Sequence, residues 1–267
     1  MKIGLMGFGK TGKAVATTLL RKENITLEWV IKKTVTLDHR SIPEFLGEYS
    51  KDPGLIHSAE KITITELLND QPVDIIIDFS SENGIYYYGE EAAKRGIKII
   101  SAVSHYPDET LELLKKYSEQ TAVFWSPNIT LGVNYLIIAA RYLKKIAPEI
   151  DMEIVEEHFK TKMGISGTAQ VIAKNLDIER EDIKSIRAGG IIGKHEIICG
   201  FPYQTVRLIH ESISREAFGN GAIFVAENIV DKGRGFYNFE ELLEPYFNGA
   251  KKLASDRNRT DAISLEG

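Results

Sequence analysis

The stretch Glu156-Glu157-His158-Phe159-Lys160-Thr161-Lys162-Met163-Gly164-Ile165-Ser166-Gly167-Thr168 places an imidazole, an ammonium and a Ser-Gly-Thr turn close together in the chain. A lysine beside a bound anion can protonate a developing carbanion, and an imidazole can shuttle a proton or stabilise charge. Ser166-Gly167-Thr168 precedes a helical pattern, Ala169-Gln170-Val171-Ile172-Ala173-Lys174. Backbone N–H groups and hydroxyls at such a helix start bind a carboxylate, helped by the helix dipole. Each feature alone has a plainer alternative: an ordinary N-cap, a structural histidine, a solvated lysine.

The second chemical feature is Gly7-Phe8-Gly9-Lys10-Thr11-Gly12, which follows a short apolar strand and opens a helix. Glycines there permit a tight turn and close backbone approach, and the helix N-terminus meets a pyrophosphate. A glycine turn without a ligand is the alternative. The acidic residue expected after the second strand, to bond ribose hydroxyls, is absent; Lys32 and Lys33 stand there instead. Two cations suit a ribose 2′-phosphate, so NADPH is preferred over NADH, unless both lysines are simply solvated strand ends. The two features together suggest a hydride donor at one end and an acidic substrate at the other. His105, His195 and His210 lack ligand-like spacing with any cysteine or acidic cluster, so no metal site is expected.

These groups need a scaffold, and the apolar pattern indicates one. Strand-like runs at 1–6, 25–31, 73–79, 97–101 and 122–126 alternate with helical spacing at 13–21, 86–95 and 107–117. The near-continuous run Val73-Asp74-Ile75-Ile76-Ile77-Asp78-Phe79 suits a parallel strand covered on both faces. Regular alternation of this kind indicates a doubly wound α/β domain. After Asn134 a long helix (135–146) leads into strand patterns at 152–159, 183–188, 195–201 and 205–210, a mixed or antiparallel α+β unit. A final helix at 216–230 suggests a return to the first domain. The expected organisation is 1–130 plus 212–249 for dinucleotide binding, 131–211 for substrate binding and oligomerisation, and a flexible tail at 250–267.

Composition sets the outer bounds. With 267 residues, 43% apolar and 27% charged, the chain reads as an ordinary globular protein with a substantial core. A net charge of -5 argues against general nucleic-acid binding. No apolar run approaches the roughly 18 to 20 residues of a membrane span. The glycine-interrupted start is not expected to act as a signal peptide. The single cysteine, Cys199, sits in a buried-strand pattern and forms no internal disulfide, in keeping with a cytoplasmic location.

Several ordered motifs together resemble 4-hydroxy-tetrahydrodipicolinate reductases (dihydrodipicolinate reductases) of bacterial lysine and diaminopimelate synthesis. Gly7 to Gly12 looks like that family's cofactor loop, and Asp78-Phe79-Ser80 like its Asp-Phe-Thr or Asp-Phe-Ser. Ser126-Pro127-Asn128-Ile129-Thr130-Leu131-Gly132-Val133-Asn134 is similar to its hinge motif near the nicotinamide. Glu157-His158 and Lys162, followed by Ser166-Gly167-Thr168, look like the catalytic signature. Arg187, Gly189, Gly193 and His195, then His210, Arg215, Phe218 and Gly221, match the C-terminal pattern, and Gly235-Phe236-Tyr237 the final turn.

The resemblance implies a Rossmann-like dinucleotide-binding domain plus a mixed-sheet α+β domain that binds substrate and builds a homotetramer. It implies hydride transfer from NADPH or NADH to a small cyclic dicarboxylate, with Lys162 as proton donor and His158 as acid/base or charge-stabilising partner. Phe159, Ser166, Gly167 and Thr168 would border the substrate. Phe79, Ser80, Ser101, Val103, Ser126, Asn128 and Ile129 would join the glycine loop and Lys32-Lys33 around the cofactor. The chain departs from the family pattern at Phe159, where a second histidine is usual. It departs also at Gly164-Ile165, which shortens an Asp-Ala-Pro, and at Ser101-Ala102-Val103-Ser104, which replaces a Gly-Thr-Thr-Gly loop. The segment from Thr168 to Arg187 is short as well. Two other readings remain open: a related amino- or imino-acid dehydrogenase, favoured by the apolar ring of Phe159, and a catalytically silent nucleotide-binding homologue.

Overall fold

Short apolar runs flanked by turn residues give strands, and amphipathic stretches between them give covering helices. The computed structural model describes residues 1–247 and Gly249. In chain order the larger layer contains β1 (Lys2–Met6), α1 (Lys10–Leu20), β2 (Thr26–Lys32), α2 (Ile42–Leu46), β3 (Leu55–Ser58), α3 (Ile64–Asp70), β4 (Ile75–Asp78), α4 (Gly84–Lys94), β5 (Lys98–Ser101), α5 (Asp108–Ser118) and β6 (Ala122–Trp125). The chain continues through α6 (Leu131–Ile146), β7 (Asp151–His158), α7 (Gly167–Leu176), β8 (Lys184–Arg187), β9 (Lys194–Phe201) and β10 (Gln204–Glu211). It closes with α8 (Glu216–Ile229), β11 (Gly235–Tyr237) and α9 (Phe239–Phe247).

The larger sheet has seven strands in the order β11-β6-β5-β4-β1-β2-β3, and its pairings are parallel. Reading inward from β3, the order 3-2-1-4-5-6 is that of a doubly wound dinucleotide fold, and its crevice opens where the winding reverses, beyond the carboxyl ends of β1 and β4. Helices α1, α8 and α9 pack one face around Val15, Leu19, Ile223, Ala226 and Leu242. Helices α3, α4 and α5 cover the other through Leu67, Tyr88 and Leu114. Burial on both faces is why these strands read as continuous apolar runs.

The smaller sheet has the order β10-β9-β7-β8, with β7 parallel to β8 and antiparallel to β9. Helices α6 and α7 cover one of its faces, burying Val133, Leu136, Ile172 and Leu176 against Ile154, Ile197 and Cys199. Cys199 is fully buried, as its flanks suggested. The opposite face leaves Ile209 exposed. The chain crosses from the larger sheet through Ile129-Thr130 into α6, and returns through 212–215 into α8, whose residues Ile223 and Ala226 pack with Val15 and Leu19 of α1.

The strand and helix patterns read from sequence correspond to β1, α1, β2, β4 to β6, α4 to α8 and β7 to β10, with ends displaced by a few residues. Helix α1 starts at Lys10, inside the glycine motif. Unanticipated were α2, β3 and α3, in a region broken by Pro43, Gly47, Pro53 and Gly54, and β11 and α9 near the far end. The tail expected at 250–267 lies outside the described residues. Among the described residues, no helix is long and apolar enough to cross a membrane.

Candidate active site

At the carboxyl end of β1 the chain turns sharply. Gly7 has φ 93°, and a Cβ there would lie 2.6 Å from the Phe79 carbonyl oxygen. A Cβ on Gly12 would meet the Gly7 carbonyl oxygen at 2.2 Å, which forces the turn and α1 together. Gly9 differs, because a Cβ on it would meet no atom of the described residues within 4 Å. It is the N-cap of α1, which carries no side-chain cap and no acidic residue in its first turn. The first N–H groups of that helix are therefore free for an anion, so the loop fits a dinucleotide pyrophosphate. Phe8 is buried against Phe45, with ring centroids 5.6 Å apart, so its side chain supports the turn. Lys32 ends β2 beside this loop and Lys33 follows it; Lys32 Nζ donates to the Thr36 carbonyl at 3.4 Å, and Lys33 is exposed.

The other expected cofactor positions lie at the carboxyl ends of β4, β5 and β6. Asp78 is wholly buried; its Oδ1 accepts from Ser80 N–H at 2.7 Å and Ser80 Oγ–H at 2.6 Å, and its Oδ2 from Tyr88 Oη–H at 3.0 Å. Burial pushes that carboxyl up to about 6 despite these bonds. Ser101 is fully buried, its Oγ 2.8 Å from Tyr106 Oη. Ser126 Oγ donates to the Asn128 carbonyl at 2.7 Å. Asn128 then links the two sheets: its Nδ2 donates to Thr168 Oγ1 at 2.9 Å, while its Oδ1 accepts from Thr130 N–H and Oγ–H at 3.0 and 2.7 Å.

In the smaller sheet, strand alternation turns Ile154, Glu156 and His158 to the α7 side. The register sets Glu156 beside Ser185 on β8 and opposite His195 on β9, with His210 of β10 beyond. Glu156 has no exposed surface. Its Oε1 accepts from Ser185 Oγ–H and Arg187 Nη2, both at 2.5 Å, and its Oε2 is hydrogen bonded to His158 Nδ1. Burial alone would raise the Glu156 carboxyl, but the Arg187 and Ser185 bonds and the His158 charge leave it below the usual range. Burial pushes His158 down; Glu156 opposes this, while the Lys162 and Arg187 charges add to it. His195 Nε2 lies 3.0 Å from Ser166 Oγ, and burial drives its imidazole down to about 3.

Ser166 caps α7, its Oγ accepting from Ala169 N–H at 3.0 Å. Gly167 and Thr168, the first two helical residues, have no partner a turn earlier, so their N–H groups remain for a ligand. A cleft of about 720 Å³ lies between the sheets and brings together Thr11, Phe79, Ser80, Val103, Asn128, Ile129, His158, Lys162, Ser166, Gly167 and Thr168. That volume exceeds what one small ring needs and suits a ring beside a second planar group. Gly7, Gly9, Gly12, Lys32 and Lys33 lie outside its lining. Phe159 is also outside it and 40% exposed, although it adjoins His158. Sequence reading gave no site role to His105, which lines the cleft from the loop after β5, nor to Glu156, Arg187 and His195, which surround His158, although the last two were noted in the family's C-terminal pattern. The period-2 pattern of β7 was the one available signal for Glu156.

The comparisons with known proteins agree with this architecture. A family model described as dihydrodipicolinate reductase, N-terminus, matches residues 1–129, and one described as the C-terminus of the same family matches 130–243. A 4-hydroxy-tetrahydrodipicolinate reductase from Caldanaerobacter subterraneus subsp. tengcongensis is 31% identical over 258 residues, covering 88% of this chain and 95% of that protein. Another from Archaeoglobus fulgidus is 29% identical, covering 80% and 94%. Among solved structures, a dipicolinate-bound dihydrodipicolinate reductase from Paenisporosarcina sp. TG-14 superposes with a TM-score of 0.74 at 19% identity, over 90% of this chain and 98% of that one. An amine dehydrogenase from Mycobacterium smegmatis follows at 0.57 and 11%, over 89% and 94%, a likeness of fold alone.

Proposed function

This chain belongs to the dihydrodipicolinate reductase family, and on that premise we propose how its cleft carries out the reaction. It is an NAD(P)H-dependent oxidoreductase that reduces 4-hydroxy-tetrahydrodipicolinate to tetrahydrodipicolinate, a step of lysine and diaminopimelate synthesis. The rival readings, a dehydrogenase with another substrate or a silent homologue, are not favoured by these relatives.

The single observation that carries the site assignment is the convergence of Lys162, His158 and the α7 N-terminus on one cleft bordered by the ends of β4, β5 and β6. Ser166, Gly167 and Thr168 hold one carboxylate of the dicarboxylate substrate with backbone N–H groups, hydroxyls and the helix dipole. The 4-hydroxyl leaves as water, which opens a C=C bond conjugated to the ring C=N; one carbon of that bond takes the hydride, Lys162 donates a proton to its neighbour, and His158 balances charge or relays the proton. The bound cofactor supplies the hydride. Gly7, Gly9 and Gly12 with the start of α1 hold its pyrophosphate, and Lys32 and Lys33 favour a 2′-phosphate, hence NADPH over NADH. The lobe at 131–211 presents the substrate, 1–130 with 212–249 presents the cofactor, and the exposed sheet face around Ile209 supports assembly into a homotetramer in the cytoplasm.

The test is a stopped assay with the dehydratase-generated intermediate, run with NADPH and with NADH. Turnover with both and a lower KM for NADPH is expected; no turnover with either would overturn the reading. Lys162→Ala should lower kcat by roughly 10² to 10⁴-fold while NADPH affinity stays within about twofold.

A further inference from the structure

We infer that Glu156, held by Arg187 and Ser185, is a positioning residue that fixes the tautomer of His158 and is coupled through Arg187 to the loop carrying Lys162. The inference rests on the reading of His158 and Lys162 as the proton-handling groups.

A carboxylate fixes a histidine tautomer only if it stays ionised and stays in place. Glu156 meets both needs. It is completely buried on a strand, and its Oε1 accepts from Arg187 Nη2 and Ser185 Oγ–H, both at 2.5 Å. Two donors converge on Oε1, one of them the Arg187 cation, and together they favour the ionised carboxylate. An ionised Oε2 can only accept from His158 Nδ1, so the imidazole proton sits on Nδ1 and the neutral ring offers a bare Nε2 lone pair. Nε2 is thereby the one ring nitrogen left for proton exchange in the cleft that His158 lines. Without the carboxylate the neutral ring could carry its proton on either nitrogen, and one of those forms would present the wrong partner to the reaction.

Arg187 has a second set of bonds. Its Nη2 donates also to the Gly164 carbonyl at 2.6 Å and its Nε to the Lys162 carbonyl at 3.2 Å. The 159–165 loop holds no regular helix or strand, and Lys162 N–H bonds only locally, to the Phe159 carbonyl at 3.0 Å. A planar guanidinium that ties Glu156 to this loop therefore sets the backbone from which the ammonium reaches into the cleft. His158 and Lys162 are located by the same ion pair, in which Glu156 is buried and Arg187 half-buried.

The distinguishing experiment is ¹⁵N-histidine NMR on the full-length wild-type protein, with the His158 signal identified by its loss in His158→Asn. The neutral His158 ring is expected as the Nδ1–H tautomer; an Nε2–H or mixed signal would overturn the inference. Steady-state kinetics of Glu156→Gln supply the second arm. A kcat lower by at least about tenfold is expected, with KM for NADPH unchanged and the pH at which His158 titrates displaced downward by roughly one unit, since a carboxylate that favours the imidazolium has gone. Unchanged kcat and an unmoved midpoint would refute it. If His158→Asn keeps wild-type kcat, the assignment of His158 to the reaction fails, whatever the tautomer.

Discussion

Acidification offers the sharpest quantitative test of the buried histidine row. Burial disfavours the charged form of His195 and drives its imidazole down to about 3 from the ordinary 6.5. As pH falls below 6.5 the unfolded chain takes up this proton and the folded protein does not, so stability drops throughout the window down to about pH 3. Between about pH 7 and pH 5 the unfolded state gains roughly 1.5 pH steps of protonation at 1.36 kcal/mol each, a loss of about 2 kcal/mol. His57, His158 and His210 are also held low by burial and steepen the same slope. A comparison with His195→Gln, a neutral side chain of similar reach, isolates the one contribution. Urea denaturation at pH 7, 6 and 5 should show the variant less stable at pH 7, because it disturbs the contact with Ser166. It should then lose about 2 kcal/mol less than wild type on going to pH 5, roughly 1 M in relative midpoint. Equal acid slopes for the two proteins would refute the argument.

Asp78 titrates in the opposite sense. Its carboxyl is raised to about 6 from 3.8 by burial, so the folded protein resists ionisation and stability should fall as pH rises between about 4 and 6. The span is at most about 3 kcal/mol, and thermal melting of Asp78→Asn should lack that part of the slope. Gly193→Ala would set a Cβ 3.0 Å from His158 Nε2. The expected result is a kcat several-fold to about tenfold lower with NADPH affinity unchanged, and wild-type kcat would show that the ring tolerates displacement. Lys32→Glu should weaken NADPH by about tenfold relative to NADH in binding titrations, and an unaltered ratio would remove the 2′-phosphate argument.

The larger sheet was legible in sequence because burial on both faces writes itself as uninterrupted apolar runs, as in Ile75-Ile76-Ile77. The glycine motif and the Ser166 cap were equally visible, since each rests on local backbone geometry. Edge elements were not: β11 has only three residues, and β3 carries the polar His57 and Ser58 in place of a continuous apolar run. In the cleft, His158 and Lys162 stood out by type and spacing. The groups that hold them did not, because Glu156 meets Ser185, Arg187 and His195 only through strand register, which no local pattern records. His105 was read only as a non-ligand, although the loop after β5 brings it to the cleft wall. Phe159, read as a substrate neighbour because the family has a second histidine there, follows the end of β7 and lies outside the cleft lining.

The two crossings of the chain between its sheets, at Ile129-Thr130 and at 212–215, mean that neither lobe dangles from a single thread. Such a double tether fixes both ends of the smaller lobe, so drifting apart is denied to it and swivelling about the line joining the crossings remains. Any closure over a ligand would order few torsions, at correspondingly small entropic cost. The Asn128–Thr168 bond, set beside the first crossing, is placed to register how far the swivel has gone.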